Sequence, residues 1–402
     1  MDERELRAIQ IAATTKLTAR NGRWTIASTT GTGSHIVAPT AGDKLSCTCP
    51  AYELSDEDCK HVLAVRYTVQ RENGGKPVRF SELVKVSYGQ DWAAYNRAQT
   101  QEKDRFLLLL ADLCRDLPNL RRRPGGRPPT PLSDMVFATT YKVYSRMSSR
   151  RFMSDLRDAH ARGLVSAAPC FNSVTNYMAN PAMTPVLQSL ITASSLPLKV
   201  IETDFAVDSS GFSTSRFIRW FNKKYGHETD TREWVKLHLI CGVRTHIVTA
   251  AEVSGWSSND NNYFRPLLSS TAEHFTIGDV SADKAYLSRA NADHVEKFGG
   301  TPLIPFKSNS VEPTDDGAWA RMYHLFAYNR QEFLARYHQR SNVETVFSMV
   351  KAKFGDAVLS RTDAGQMNEA LCKVLAHNIC CVVKAIHELG IDPSFVNAHE
   401  VA

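Results

Sequence analysis

The stretch LKVIETDFAVDSSGF, Leu198 to Phe212, places Glu202, Asp204 and Asp208 within seven residues of otherwise apolar chain. Leu198, Val200, Ile201, Phe205 and Val207 give residues 198–207 the composition of a buried strand, and Ser209-Ser210-Gly211 reads as the turn that ends it. A carboxylate on a buried strand is costly unless a cation or hydrogen-bond donors meet it. Any fold for this chain must therefore supply partners for three acids at one place. On a regular strand all three share a face, so spacing alone does not choose among them. Asp208 lies closest to the turn, where the strand can open to solvent, and Glu202 reads as an edge or interface acid.

A chain of 402 residues has room for two or three domains with real cores. No run of about 18 uninterrupted apolar residues appears, so a membrane-spanning helix is not expected. The charged start, Met1-Asp2-Glu3-Arg4-Glu5, lacks the apolar core of a secretory signal. The nine cysteines are mostly scattered singly, which suits a reducing interior better than a disulfide framework. The expectation is a soluble, intracellular, cytoplasmic protein. Its formal charge is +6, yet Arg121 to Arg162 alone holds ten Arg and Lys against three acids, a local +7. Such an excess suits a polyanion contact; a solvated basic helix with its linker would look the same.

Three regions are expected. Residues 1–88 open with a helix over Glu3–Leu17. The strand-like pieces RWTIAS, HIVAP and KLSCTC follow, and a helix from about His61 to Gln70 closes the unit. Residues 89–197 hold a helix near Gln99–Leu117, then RRRPGGRPP, whose prolines and glycines forbid a helix and imply an extended arm. Helical patterns at Leu132–Tyr144, Arg150–Arg162 and Asn172–Met178 come next, and another runs to Ser195. Residues 198–402 mix the two element types. Strands are expected at 198–207, 235–243, 246–253, 275–279 and 302–306, and helices at 261–270, 289–298, 333–354 and 364–389. Antiparallel strands leading into strand–helix alternation indicate a mixed α/β sheet.

CTCPAYELSDEDCKHVLAV supplies Cys47, Cys49, Cys59 and His61, two pairs separated by nine residues. Three thiolates and an imidazole fill a tetrahedral zinc ion and leave no open position, so the Zn²⁺ would be structural. The pattern, with its CKHVLAV ending, resembles the SWIM zinc finger, which implies a DNA-handling protein. The acidic loop Asp56-Glu57-Asp58 argues against phosphate contact by that face, leaving a protein partner and DNA both open.

In YHQRSNVETVFSMVKAKFG, Tyr337, Arg340, Glu344 and Lys351 fall within about 60° of one another on a continuous helix. Val343, Val346, Phe347, Val350 and Phe354 form the opposed, buried arc. A solvated helix also carries Arg–Glu pairs at this spacing. GDVSADKAYLS adds Asp279 and Asp283 at and beyond a strand end, where turn-capping acids are equally at home. Two divalent cations between such acids would serve phosphoryl transfer.

The spacing Tyr337-x2-Arg340-x3-Glu344-x6-Lys351 matches the Y-R-E-K signature of insertion-sequence DDE transposases, and AVDSSGF and ADKAY resemble their two Asp motifs in the same order. The resemblance covers about half the chain, from Leu198 to the C-terminal helix. It implies a ribonuclease-H-like fold, with catalytic Asp208, Asp283 and Glu344 holding two Mg²⁺ or Mn²⁺ ions. It further implies that Tyr337, Arg340 and Lys351 bind DNA phosphates, with Lys307 in IPFKSN as an assistant or an ordinary surface lysine. The interval between Asp283 and Glu344 is too short for the β insertion that some relatives use in hairpin chemistry. Trp319, in that interval, belongs to an ordinary amphipathic helical pattern. RFIRWFNKKYG, Arg216 to Gly226, interleaves cations with aromatics as a DNA-facing loop would, or as core does.

The arm holding Arg121, Arg122, Arg123 and Arg127 resembles an AT-hook interrupted by Pro124 and an extra Gly, suited to a narrow minor groove or to a plain charged linker. Residues 148–178 could form a helix-turn-helix, with Arg150 and Arg151 on phosphates and FNSVTNYM in the major groove. The expected activity is that of a DNA transposase acting on double-stranded DNA as a dimer or larger, with no membrane and no small-molecule substrate. A non-enzymatic DNA-binding regulator, or a nuclease that does not join strands, are the alternatives.

Overall fold

Trp24, Ile26, Val37, Leu45 and Cys47 alternate with exposed or half-buried neighbours, and this period of two builds the N-terminal sheet. In the computed structural model the chain is described except for residues 1–2, 16, 18, 21, 29–32, 41–43, 56–57, 73–90, 119–129, 215–233, 308, 394 and 396–402. It divides into two compact units, Met1–Asp91 and Trp92–Ala402. In the first, α1 (Glu3–Thr14) precedes β1 (Ala19–Arg20), β2 (Arg23–Ala27), β3 (Ser34–Pro39) and β4 (Leu45–Cys47), an antiparallel sheet in chain order. The short α2 (Pro50–Ser55) and then α3 (Lys60–Glu72) follow, and α3 packs Val62 and Val65 into the same core as Ala8 and Ile11 of α1.

The second unit begins with α4 (Trp92–Thr100), α5 (Glu102–Cys114), α6 (Leu132–Ser145), α7 (Phe152–Ala161), α8 (Phe171–Met178) and α9 (Met183–Ser195). The helix expected near Gln99–Leu117 is thus two helices meeting at Gln101. Gly163, at φ +74°, ends the segment that contains α7, as a left-handed glycine does. Strands β5 (Phe205–Thr214), β6 (Trp234–Gly242) and β7 (Val248–Gly255) then precede α10 (Asn261–Ala272), β8 (Asp279–Ala282), α11 (Arg289–Lys297) and β9 (Thr301–Leu303). The chain ends with α12 (Ala318–Tyr328), α13 (Arg330–Tyr337), α14 (Ser341–Phe354), β10 (Ala357–Val358) and α15 (Asp363–Leu389).

The sheet order is β7-β6-β5-β8-β9, with β10 also paired to β5; β5, β6 and β7 run antiparallel in turn, while β8, β9 and β10 follow parallel pairings. This is the mixed, helix-flanked α/β sheet expected of the C-terminal half. Ala206 and Phe212 of β5 face one layer of helices, and Phe205 and Val207 face the other, which holds Phe264, Val295 and Met322. Residues 89–197 and 198–402, read from sequence as separate regions, share one core: Phe106, Phe137 and Leu187 pack in the same cluster as Leu239, Val346 and Leu375.

Strand phase is where the sequence reading and the fold part. β5 starts at Phe205 and runs through Ser209, Ser210 and Gly211, so Asp208 is mid-strand and no turn follows it. Gly211 sits there because Trp234 crosses it; a Cβ would lie 3.0 Å from the indole Cδ1. β7 starts at Val248, since His246 takes φ +63° in the hairpin turn. β8 starts at Asp279, where expectation put a strand end, and Phe275 and Ile277 are buried ahead of it. The helix expected over 333–354 is broken by a 3₁₀ turn at His338–Arg340, which lets α13 reach β8 while α14 lies along β5.

The 27-residue α15 has the length and apolar composition to cross a membrane, but most of it is buried in this core. Its polar side chains are paired with surrounding backbone. The Asn378 carboxamide donates to the carbonyl oxygens of Val248 (2.7 Å) and Ile191 (3.1 Å) and accepts from the Val248 N–H (2.9 Å). Replacing it by Leu leaves those buried groups unpaired, so Asn378→Leu should lower the unfolding free energy by about 3 kcal/mol in urea titration. A change near zero would contradict this pairing.

Candidate active site and zinc centre

Glu202, Asp204 and Asp208 have three different sets of partners. Glu202 is fully buried, and its carboxylate accepts the N–H groups of Arg244 (3.2 Å) and Thr245 (2.5 Å) in the β6–β7 turn. It is therefore an internal turn holder and not an edge or interface acid. Gly242 makes room for it, since a Cβ there would lie 2.3 Å from the Glu202 carboxyl carbon. Asp204 Oδ1 accepts the Asp279 N–H at 2.9 Å and so starts β8. Asp279 itself is held by Arg336 of α13 through Nε (2.8 Å) and Nη2 (2.5 Å). Backbone donors or an Arg satisfy these three acids.

Asp208 is different. Parallel pairing sets Val207 beside Ala282, so the next residues, Asp208 and Asp283, are neighbours across the two strands. β8 pairs with β5 only as far as Val207, and β10 joins the same edge at Ser213 and Thr214. Between them lies a notch along Asp208 to Phe212, with α14 packed against β5. Arg340 Nη1 donates to Asp208 Oδ2 at 3.0 Å, and its Nη2 donates to Glu344 Oε1. One guanidinium thus bridges the acids of β5 and α14. Lys351, two turns further along α14, donates to Ser210 Oγ at 2.6 Å and lies 5.3 Å from the Phe212 ring centre.

The electrostatics follow from this crowding. Burial pushes the Asp208 carboxyl above its ordinary value; the charges of Asp283 and Glu344 add to the rise, while the Ser209 N–H and Arg340 oppose it. Burial also raises the Tyr337 phenol, with Asp283 and Asp208 contributing and Arg340 opposing. Lys351 is lowered by burial, partly offset by Asp356. Tyr337 stacks on Phe333 at 5.7 Å, so the broken helix still turns its ring toward the same acids.

Asp208, Asp283, Glu344, Tyr337, Arg340 and Lys351 are therefore brought to one neighbourhood. Lys307 is exposed, four residues past the end of β9. Arg150 and Arg151 are exposed at the start of α7, where Arg150 lies 5.1 Å from the Phe171 ring that opens α8. α7 and α8 are joined by residues 162–170. Arg121, Arg122, Arg123 and Arg127, and the aromatic stretch Arg216–Gly226, lie outside the described residues. Sequence reasoning gave no role to Tyr286, although it lies within the quoted ADKAY. Its hydroxyl is buried beside Ser209, and burial followed by the Asp208 charge drives its pKa upward. Its size after a strand end was the available signal; its burial was not readable.

In the first unit, the ligand atoms of Cys47, Cys49, Cys59 and His61 all lie within 4.8 Å of one another, and all four residues are buried. Cys47 Sγ and Cys59 Sγ are 3.8 and 3.9 Å from His61 Nδ1, against roughly 3.6 Å for a tetrahedron built on ordinary zinc bond lengths. Hydrogen bonding between the two thiols pushes Cys47 up and draws Cys59 down to about 3. A sulfur poised as thiolate among two more and an imidazole nitrogen is the donor set of a closed zinc site. The Cys₃His set fits one structural Zn²⁺.

Residues 201–379 match the family described as Transposase DDE domain. Residues 35–70 match the SWIM zinc finger. The chain carries a transposase DDE domain and, ahead of it, a SWIM zinc finger. The first match spans β5, β8 and α14 with Asp208, Asp283 and Glu344; the second includes all four ligands of the Cys/His cluster. No solved structure matches the chain. A DDE domain gives the protein a transposase-type function.

Two outcomes test these sites. Purified protein should hold one zinc per chain, lost together with hydrogen-exchange protection of α3 in Cys49→Ser; full zinc content in that variant would contradict the four-ligand cluster. A carboxyl whose pKa folding raises stabilises the fold below its unfolded value, ordinarily 3.8, and loses that contribution as pH rises through the folded value. Ionised Asp208 is therefore a cost at neutral pH. Asp208→Asn should melt higher than wild type at neutral pH, with the gain vanishing as pH falls below about 4.

Proposed function

We propose that the protein is a DNA transposase: it hydrolyses phosphodiesters at the ends of its element, then joins the freed 3′ hydroxyls to target DNA. What supports this reading is the placement of Asp208 next to Asp283 on paired strands, together with the Arg340 guanidinium that bridges Asp208 and Glu344. Asp208 accepts the Ser209 N–H and Arg340, and Asp283 accepts the Lys284 N–H at the 3₁₀ turn after β8. What sets them apart from Glu202, Asp204 and Asp279 is that they adjoin each other across β5 and β8 and that Arg340 links Asp208 to Glu344. Three carboxylates are hard oxygen donors of the kind Mg²⁺ and Mn²⁺ prefer. When bound there, such a pair of ions supplies Lewis acidity at the attacking and leaving oxygens. The antiparallel β5–β6–β7 meander extended by parallel β8 and β9 supports a ribonuclease-H-like arrangement.

In the first step a water oxygen attacks phosphorus and the P–O3′ bond breaks, leaving a 3′-OH and a 5′-phosphate. In the second, that 3′-OH attacks a target phosphorus and displaces the target's own 3′ oxygen. This chain's residues have three tasks. Asp208, Asp283 and Glu344 hold the cations; Lys351, pinned on Ser210, holds a non-bridging phosphate oxygen beside them. Tyr337 and Arg340 would orient the next phosphate. Recognition of the element ends falls to the basic region with Arg150 and Arg151, with two chains needed for two ends.

Arg340 compensates two of the three acids without any ion, and this favours a second reading, a DNA-binding regulator that keeps the DDE domain as scaffold. Incubating the protein with its flanking DNA and Mn²⁺ separates the two. The transposase reading predicts discrete end cleavage, abolished in Asp283→Asn and Glu344→Gln and retained in Asp204→Asn if that variant folds. Binding without cleavage, with Mn²⁺ or with Mg²⁺ in its place, would favour the regulator.

A further inference from the structure

A groove of about 620 Å³ runs between the C-terminal end of α6, the exposed side of α8 and the segment joining β10 to α15. Lys142, Arg146 and Arg361 line it, and none of the three forms an ion pair with any described residue. Ser148, Ser360 and Thr362 add hydroxyls to the same walls. Two acids lie nearby: Glu369 is engaged, accepting the N–H groups of Leu359 (2.9 Å) and Ser360 (2.8 Å), and Asp356 shares the lining of an adjoining cavity with Lys142 and Arg146. Lys373 is also occupied, donating to Gly355 O (2.8 Å) and Ala357 O (2.7 Å). The groove thus pairs guanidinium and ammonium groups with hydroxyl donors, the chemistry that takes phosphate oxygens.

Arg146 supplies a second observation. It caps α6 in the left-handed region at φ +56°, a position that favours glycine. A long cation is held there at a conformational cost, which points to use of its side chain. Gly355 faces it, and a Cβ on that glycine would lie 3.6 Å from Arg146 Nη2. The groove also lies in line with the notch. β5 leads from Asp208 past Ser210, where Lys351 is pinned, to Ser213 and Thr214, where β10 begins the groove's wall. Six residues of strand span roughly 20 Å, the axial rise of about six nucleotides of one DNA strand.

We infer that this groove seats the DNA backbone on one side of the acidic notch, with Arg146 and Arg361 on successive phosphates and Lys142 behind them. The inference rests on the proposed transposase reading and adds to it the path of the bound strand. α8 forms one wall through Thr175 and Asn176, so the basic region and the DDE domain share a single DNA track.

The test uses full-length protein carrying Asp208→Asn, so that no cleavage intervenes, and a short labelled DNA duplex of mixed sequence titrated over a series of NaCl concentrations. Arg146→Gly suits the left-handed backbone while removing the charge, and Arg361→Ala alters an exposed side chain, so both should fold. Together they should reduce the slope of log affinity against log salt by about 2, at about 0.9 per lost phosphate contact. Binding at low salt should weaken tenfold or more. Lys199→Ala/Lys297→Ala removes the same charge from exposed positions outside the groove and should leave the slope within about 0.5 of the parent. A parent slope in the groove variant, or an equal loss in the control, would overturn the groove while leaving the transposase reading intact. A parent that does not bind the duplex at all would overturn both.

Discussion

The second unit depends on one buried helix that has to satisfy its own polar groups. Asn368, Glu369, Lys373, His377 and Asn378 of α15 are each less than 5% exposed, a cost that only hydrogen bonds offset. Together they hold four segments. Asn368 takes the carbonyls of Met178 and Asn180, Glu369 and Lys373 hold the two sides of β10, His377 takes the His246 carbonyl, and Asn378 ties β7 to α9. The register of β10 against β5, the β6–β7 turn and the docking of α8 thus follow from one helix. N–H groups of the same turn donate to Glu202, ahead of β5, and His246 Nε2 lies 3.0 Å from Asn342 Oδ1, near the start of α14. That chain of contacts sets Glu344 and Lys351 over β5.

Charge is divided between structure and site with little overlap. Glu202, Asp204, Asp279 and Glu369 have their oxygens filled by backbone N–H groups or by Arg336, and they hold turns, strand starts and helix positions. Asp208 and Glu344 share one cation, Arg340. A half-buried carboxylate held by a single cation is a weak stabilising element, because desolvation offsets much of the pair's attraction. The zinc centre is the opposite case: four buried ligands close on one another and leave no open position.

The Cys/His cluster and the neighbourhood of Asp208, Arg340 and Glu344 were legible in the sequence, and strand phase was not. The Cys/His spacing specified its cluster because two close pairs around a turn have few ways to converge. The Tyr-Arg-Glu-Lys spacing survived a break it did not foresee, since the 3₁₀ turn at His338–Arg340 redirects the axis without moving Arg340 away from Glu344. β5 was placed seven residues early because Leu198, Val200 and Ile201 have strand composition. Leu198 instead enters the helical core through a 3₁₀ turn and Val200 is exposed. Ser209-Ser210-Gly211 has turn composition, yet pairing with β6 and the crossing of Trp234 keep it extended. Such outcomes depend on contacts with segments far along the chain, which local propensity does not contain. The different duties of Glu202, Asp204 and Asp208 are of this kind.

The central claim is that Asp208, Asp283 and Glu344 hold the same metal ions. Substituting Fe²⁺ for Mg²⁺ in the full-length protein and adding peroxide with ascorbate cuts the backbone beside whichever residues ligate the iron. The account predicts cuts next to Asp208, Asp283 and Glu344, suppressed together by excess Mg²⁺ and absent near Asp204 and Glu202. Cuts at Asp204 or Asp279 with none at Glu344 would contradict it.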